Sequence, residues 1–245
     1  MVALVPARAG SKRVPHKNVA PLAGHPLLAY TIAAAQASGV FDAVVVSTDS
    51  EHYASIARHY GAEAPVLRPD AIAGDASPDV EWVDHMLGAL ESSGRSFDAF
   101  SILRPTSPFR QPSTIIRAWT AFVEDAGADS LRAVEKCHQH PGKMWVKRGN
   151  RLLPLLPFGP EEQPWHSRQY PSLPLVYVQN ASLEIAWTRT VKASRTIAGV
   201  NIVPFLTEGF EGFDVNHPYD WHLAELLVAR GEALLPSVEA PPFPL

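Results

Sequence analysis

Short apolar runs alternate with segments of helical periodicity along the first half of the chain. The apolar runs, each rich in Val, Leu or Ala, lie at 2–5, 43–47, 99–103 and 130–135. The helical segments lie at 26–38, 51–60, 78–90 and 112–125. Strands separated by helices form right-handed βαβ units. The pattern therefore predicts an α/β fold with a mostly parallel sheet and helices on both faces.

The pattern changes in the middle of the chain. Prolines accumulate over residues 138–174 and interrupt any regular helix. Trp145 and Trp165 lie among them, and this aromatic content argues against a disordered linker. We therefore expect an ordered excursion, which serves either as an active-site lid or as a dimer contact.

The main pattern resumes after the excursion and closes with a helix over residues 217–230. Apolar segments at 175–186 and 199–204 precede that helix. We predict one domain over residues 1–235 that carries the excursion as an insertion. The proline-rich residues 236–245 are expected to form a loose tail.

Composition narrows the function classes. Of 245 residues, 46% are hydrophobic and 19% are charged, as in a folded globular protein. The net charge of -4 argues against a general nucleic-acid binder. A single cysteine, Cys137, permits no intramolecular disulfide and suits a reducing compartment. The apolar run at 2–5 is too short for a signal peptide or a membrane span, so we expect a cytoplasmic protein with no membrane partner.

The loop after the first strand concentrates positive charge. Its cations are Arg8, Lys12, Arg13 and Lys17. Ligands of open parallel sheets bind beyond the carboxyl ends of the strands, where this loop belongs. Gly10 and Ser11 allow a tight turn whose N–H groups would face one anion. The spacing fits neither a P-loop nor the dinucleotide fingerprint. Of a solvated basic loop and a loop that holds a nucleoside triphosphate, the position after a strand and the excess of cations favour the second.

The same loop carries a family resemblance. Residues 5–18, VPARAGSKRVPHKN, resemble the signature of the acylneuraminate cytidylyltransferases, or CMP-sialic acid synthetases. Further segments match in the same order at 46–49, 67–69, 75–77, 104–110 and 212–216. The resemblance implies a Rossmann-like nucleotidyltransferase fold, CTP and a sugar acid as substrates, and a homodimer with the excursion as its lid or contact.

The resemblance also implies roles for individual residues. The nucleotide would be held by Arg8, Gly10, Ser11, Lys12, Arg13, Asn18, Ser77, Arg104 and Thr106. The sugar acid would be held by Arg104, Lys143, Arg168 and Asn180. The anomeric hydroxyl would attack the α-phosphate of CTP, and pyrophosphate would leave. Arg8, Lys12 and Arg13 would stabilise the charge that develops, whereas no general base is evident.

A magnesium site is implied near the end of the chain. The family usually has Asp-x-Asp there, and this chain has Asp214 and Asn216. An amide oxygen can coordinate Mg²⁺ but brings no charge, so Asp220 or Asp49 is a further candidate ligand. The alternative for Asp214 is a cap of the closing helix.

Two departures from the family concern the sugar. Arg104 stands where the sialic acid branch commonly has glutamine, and residues 178–182 replace the more usual Arg-x-Asn-Gly-Ala. Such changes alter which acid is accepted, so legionaminic and pseudaminic acid stand beside sialic acid as candidates. Two other hypotheses remain open: a guanylyltransferase or other nucleotidyltransferase acting on a sugar phosphate, and a non-catalytic nucleotide-binding homologue.

Overall fold

The computed structural model describes residues 1–244 and contains ten strands and six α-helices. The strands are β1 Val2–Pro6, β2 Pro21–Leu22, β3 His25–Pro26, β4 Ala43–Ser47, β5 Ala99–Ile102, β6 Ser130–Lys136, β7 Trp145–Arg148, β8 Arg151–Pro154, β9 Tyr177–Trp187 and β10 Ile202–Leu206. The helices are α1 Leu27–Ser38, α2 Glu51–His59, α3 Asp79–Ser92, α4 Pro112–Glu124, α5 Thr188–Ser194 and α6 Pro218–Ala229. Across residues 1–244, every helix falls short of the length and apolar character that crossing a membrane requires.

The central sheet has six strands in the order β10-β6-β9-β5-β1-β4. β1 runs parallel to both of its neighbours, β4 and β5. β9 runs antiparallel to β5, with Ile102 opposite Glu184. The predicted α/β fold with a mostly parallel sheet is confirmed, and the antiparallel β9 is a feature that the apolar pattern does not reveal.

Helices cover the sheet on both faces. Alternate residues of β1 point towards opposite faces, and each set is buried under helices. Ala3 and Val5 belong to a buried cluster that includes residues of α1, α2 and α4. Val2 and Leu4 belong to a second cluster that includes Trp82 and other residues of α3. Burial on both faces explains why β1 is a continuous apolar run rather than an alternating one.

Element boundaries differ from the prediction where local geometry decides them. α1 begins at Leu27 because Pro26 has extended backbone, and it ends where Gly39 adopts φ 64° and donates its N–H to Gln36 O. The hairpin of β2 and β3 and the short helix α5 are absent from the sequence prediction. Each is too short to produce a periodic signal.

Residues Val134–Gln179 form a second compact unit, and the rest of the chain forms the main unit. The second unit contains the predicted excursion 138–174 and is built around the antiparallel hairpin of β7 and β8. Gly149 turns that hairpin with φ 58°. Large apolar side chains exposed on this unit include Trp145, Leu152, Leu153, Leu155, Phe158 and Leu175.

The segment after α6 has specific contacts, in contrast to the loose tail that its prolines suggest. The backbone N–H of Phe243 donates to the Tyr60 hydroxyl at 3.0 Å. His59 Nε2 lies 2.8 Å from Pro241 O, and its ring packs edge-on against Phe243 at 5.3 Å. One aromatic ring thus anchors a segment whose composition resembles a linker, while residue 245 lies outside the described residues.

Candidate active site

A cavity of about 510 Å³ opens in the main unit beyond the carboxyl ends of β1 and β5. The predicted residues that line it are Arg8, Ser11, Lys12, Arg13, Asn18, Ser77, Arg104, Thr106, Asp214 and Asn216. Its size is within the range of small-molecule sites, about 300–1,000 Å³. Segments far apart in the sequence therefore meet at the edge of the sheet where the topology predicts a ligand.

The loop after β1 is held by its own hydrogen bonds. The N–H of Ala9 donates to Asp49 Oδ1 at 2.8 Å, and that of Ser11 donates to Ala9 O at 2.9 Å. Asn18 is buried and donates its side-chain amide to Arg8 O at 3.2 Å. Gly10 does not adopt the left-handed backbone. The predicted row of free N–H groups is therefore not present here, because two of them already have acceptors.

Cationic side chains supply the positive charge of the loop. Asp75 bridges two of them, with Arg8 Nη2 at 2.6 Å and Lys12 Nζ at 2.5 Å. Hydrogen bonds from Lys12 and Arg8 hold the pKa of Asp75 below its usual range. Arg13 is exposed and, among residues 1–244, has no ion-pair partner. Of the four cations of the loop, an anionic ligand would thus meet two that are paired at the surface, and two, Arg13 and Lys17, that have no ion-pair partner among residues 1–244.

The cavity wall formed by Asp214 and Asn216 lies next to Lys17, the last cation of the loop. Asp214 Oδ1 is buried and has no hydrogen-bond partner among residues 1–244, while Oδ2 accepts from the Asn216 side-chain amide. Lys17 Nζ donates to Val215 O at 2.9 Å. Burial lowers the pKa of Lys17, and the neighbouring charge of Asp214 opposes that shift. This wall offers a carboxylate oxygen whose bonding capacity is unused.

Two other carboxylates considered as metal ligands are engaged by backbone. Asp220 Oδ2 accepts from the N–H groups of Asn216 and His217 at 2.8 and 2.7 Å, which caps α6. Asp49 accepts from the loop after β1, as described above. The N-cap of α6 is therefore His217, with Asp220 as its capping-box partner, and not Asp214. Within residues 1–244, no group of three or more acidic, His or Cys side chains is arranged to hold a metal ion.

Arg104 lies at the floor of the cavity, directly after β5. Its Nη2 donates to Asp79 Oδ2 at 2.7 Å and to Glu184 Oε1 at 2.8 Å. Burial alone would raise the pKa of Asp79, but the hydrogen bond and charge of Arg104 lower it. The guanidinium is thus fixed between two carboxylates.

The remaining predicted sugar-binding residues fall into both units. In the main unit, Asn180 lies within β9; its side chain donates to Thr207 Oγ1 at 2.9 Å and accepts from Ser182 N at 3.2 Å, and the next residue, Ala181, lines the cavity. In the second unit, Lys143 Nζ donates to the backbone oxygens of His166 and Arg168. The structure thus brings Lys143 and Arg168 together within their own unit.

Comparisons with known proteins agree with this geometry. The chain matches the family described as Cytidylyltransferase over residues 2–93. It is 34% identical over 240 residues to CMP-N,N'-diacetyllegionaminic acid synthase of Legionella pneumophila, across 96% of this chain and 99% of that protein. The chain belongs to the cytidylyltransferase family. N-acylneuraminate cytidylyltransferase of Escherichia coli is 45% identical over 118 residues, which are 48% of this chain and 27% of that protein.

Solved structures share the fold of the enzyme at low sequence identity. CMP:2-keto-3-deoxy-manno-octonic acid synthetase complexed with CTP has a TM-score of 0.65 at 14% identity, across 94% of this chain and 98% of that chain. A 4-diphosphocytidyl-2C-methyl-D-erythritol synthase from Anaerococcus prevotii has a TM-score of 0.63 at 12% identity, with the same coverage of 94% and 98%. These likenesses concern the fold alone.

Sequence reasoning missed several residues at the cavity of the enzyme. Arg68 is buried, donates to Ser47 and lies 4.9 Å from the Trp82 ring, and burial lowers its pKa to about 10. Arg68 could have been found from the sequence, because it lies in segment 67–69, one of the segments that resemble the family. Glu184 had a weaker signal, because it is a carboxylate within an apolar strand between Leu183 and Ile185.

Proposed function

We propose that the enzyme transfers CMP from CTP to the anomeric hydroxyl of a nine-carbon 2-keto-3-deoxy sugar acid and releases pyrophosphate. One observation carries the proposal: the cationic loop after β1 lines a cavity whose wall also holds a buried carboxylate oxygen of Asp214 that has no hydrogen-bond partner among residues 1–244. The similarity to a legionaminic acid synthase over nearly the whole chain supports the reaction class. Sialic, legionaminic and pseudaminic acid are the candidate acceptors.

The triphosphate would be bound mainly by side chains. Arg13 is available without rearrangement, whereas Arg8 and Lys12 must first exchange Asp75 for phosphate oxygens. Charge-assisted bonds from these groups would strengthen as negative charge accumulates on the leaving pyrophosphate. The chain would contribute positioning and charge neutralisation, which dominate phosphoryl transfer.

We further propose that Mg²⁺ is bound by Asp214 and Asn216. The residues present fit the ion, since Asp214 Oδ1 is a buried oxygen that lacks a partner and hard cations prefer oxygen ligands. Asp220 and Asp49 are engaged elsewhere, so phosphate and water oxygens would complete the coordination. When bound, the ion would neutralise phosphate charge.

The acceptor would lie on the side of Arg104 and Ala181. Both residues line the cavity, and both belong to segments where the chain departs from the sialic acid branch. The role of Lys143 and Arg168 in binding the sugar acid stays a prediction. Contacts to acceptor hydroxyl and acyl groups would then determine which acid reacts.

We propose a homodimer that works in the cytoplasm. The second unit exposes a set of large apolar side chains, from Trp145 to Leu175, and such a surface is typical of a protein interface. A chain with one cysteine suits a reducing compartment. Sedimentation velocity tests the assembly: a single species at the monomer mass would exclude the dimer.

Pyrophosphate release tests the reaction itself. Each of the four nucleoside triphosphates is combined with a panel of ulosonic acids and sugar phosphates, with and without Mg²⁺. Turnover confined to CTP and a nine-carbon acid supports the proposal. Turnover of GTP with a sugar phosphate would instead identify a guanylyltransferase, and nucleotide binding without turnover in any combination would identify a binding homologue.

A further inference from the structure

Four side chains of alternating charge form one connected network beside the cavity. Arg104 contacts Asp79 and Glu184, and Arg132 forms an ion pair with the other oxygen of Glu184. The Glu184 and Arg132 side chains are only 5% and 12% exposed, whereas Arg104 is 26% exposed and lines the cavity. The network therefore runs from the sheet interior to the cavity floor.

The fold brings these residues together from four separate elements. Glu184 lies on β9 opposite Ile102 of β5, and Arg104 follows β5 by two residues. Arg132 lies on β6, the neighbour of β9 in the sheet, and Asp79 is the first residue of α3. No sequence motif joins the four positions.

Stability alone does not explain the network. Removing two ion pairs from water costs about as much as their attraction returns, and apolar residues of similar volume often stabilise a fold equally well. Burial lowers the pKa of Arg132, so the attraction to Glu184 is offset in part by the cost of burying the charge. A buried carboxylate between Leu183 and Ile185 therefore calls for a role other than packing.

The network leaves Arg104 with N–H donors that are still available, and its cations and anions are equal in number. Its Nη2 serves both carboxylates, its Nη1 makes only a 3.5 Å contact with Asp79, and its Nε has no acceptor among residues 1–244. Within the network two cations face two anions, so the network itself carries no net positive charge. The donors that remain suit a neutral acceptor, such as a hydroxyl or an acyl carbonyl oxygen.

We propose that Glu184 and Arg132 are positioning residues that hold Arg104 to bind a neutral oxygen-bearing substituent of the sugar acid, and that they thereby set acceptor specificity. The inference rests on the proposed function, since it assigns part of the acceptor subsite. It assigns the sugar carboxylate to other residues.

The test compares Glu184→Gln and Arg132→Met with matched controls. Glu91→Gln and Lys192→Met make the same kinds of change in an exposed ion pair far from the cavity wall. We expect the KM for the acceptor to rise by about tenfold in both network variants, as for the loss of one well-placed hydrogen bond. The KM for CTP should stay within about twofold, and the controls should match the wild type.

A second readout separates positioning from a structural role. Wild-type enzyme should discriminate between two acceptors that differ only in one hydroxyl or acylamino group, and both variants should lose that preference. Equal increases in the KM for CTP and for acceptor, or a lower melting temperature with unchanged acceptor preference, would overturn the inference. If Glu184→Gln does not fold, Arg132→Met and the milder Arg132→Lys provide the same comparison.

The two proposals fail in different ways. Wild-type enzyme that turns over no sugar acid with CTP refutes the proposed function and this inference with it. Wild-type enzyme that is active while both variants keep their acceptor KM and preference refutes the inference alone. CTP binding by calorimetry, measured without acceptor, confirms that each variant retains its nucleotide site.

Discussion

Arg110 links the loop after β5 to β9 and α1, and its replacement should lower the stability of the fold. The side chain is only 1% exposed, and no carboxylate among residues 1–244 pairs with it. It donates from Nη2 to Thr31 Oγ1 at 2.8 Å, and from Nη1 to Ser182 O and to Arg104 O at 3.3 Å. These bonds join the loop after β5 to β9.

The magnitude follows from what Arg110→Met leaves behind. Each buried acceptor that loses its donor costs about 1–3 kcal/mol, and Ser182 O depends most directly on Arg110. An opposite effect reduces this loss, because methionine avoids the cost of burying a charge. That cost is reflected in the burial that lowers the pKa of Arg110 to about 9. The two effects together predict a loss of about 2–4 kcal/mol in the free energy of unfolding.

Thermal melting measures this loss. A chain of this size loses about 2–4 °C in Tm per kcal/mol, so Arg110→Met should melt about 5–15 °C below the wild type. Arg58→Met is the control, because Arg58 is 46% exposed and pairs with exposed Glu51. Its effect should stay within about 1 kcal/mol. A Tm for Arg110→Met equal to that of the control would refute the reasoning.

Four further outcomes follow from the site. Lys12→Ala and Arg13→Ala should each reduce kcat/KM strongly at unchanged Tm, and near-normal rates in both would remove the loop from the reaction. Asn216→Asp should lower the Mg²⁺ concentration needed for half-maximal activity, whereas an unchanged Mg²⁺ titration would contradict a ligand at this position. Asp75→Asn should lower the KM for CTP, because the exchange of Asp75 for phosphate is removed; a higher KM would show that Asp75 assists binding. Since the pKa of Asp79 is lowered, its pairing stabilises the fold above about pH 4, and this stabilisation is lost as the pH falls through the lowered pKa. Asp79→Asn should therefore flatten the dependence of Tm on pH in that range. An unchanged dependence would contradict this role of Asp79.

The sequence predicts the framework of the enzyme because its signals are local. Apolar runs such as 2–5 and 43–47 are buried on both faces, so composition alone identifies them as strands. The cations of the loop after β1 can be recognised from the sequence for the same reason, since they lie within ten residues of one another directly after a strand. The position of this loop at the sheet edge then follows from topology.

The choice of partners is not local and could not be predicted. Nothing in the sequence near Arg104 indicates that it will pair with Glu184, 80 residues away, rather than remain free for a ligand. The contacts of Phe243 with α2 depend on a groove that exists only after folding. The hydrogen bonds that occupy the N–H groups of Ala9 and Ser11 likewise depend on Asp49 and on the turn itself.

Asp75 makes nucleotide entry an exchange of anions rather than an addition to an empty positive loop. A singly charged anion gains little by replacing a carboxylate that already contacts Arg8 and Lys12. A triphosphate carries several negative charges and reaches Arg13 at the same time. It can therefore replace Asp75 and form more charge-assisted bonds than Asp75 gives up. In the proposed reaction, the resting loop would thereby select anions by their number of charges and favour a nucleoside triphosphate over small, singly charged anions.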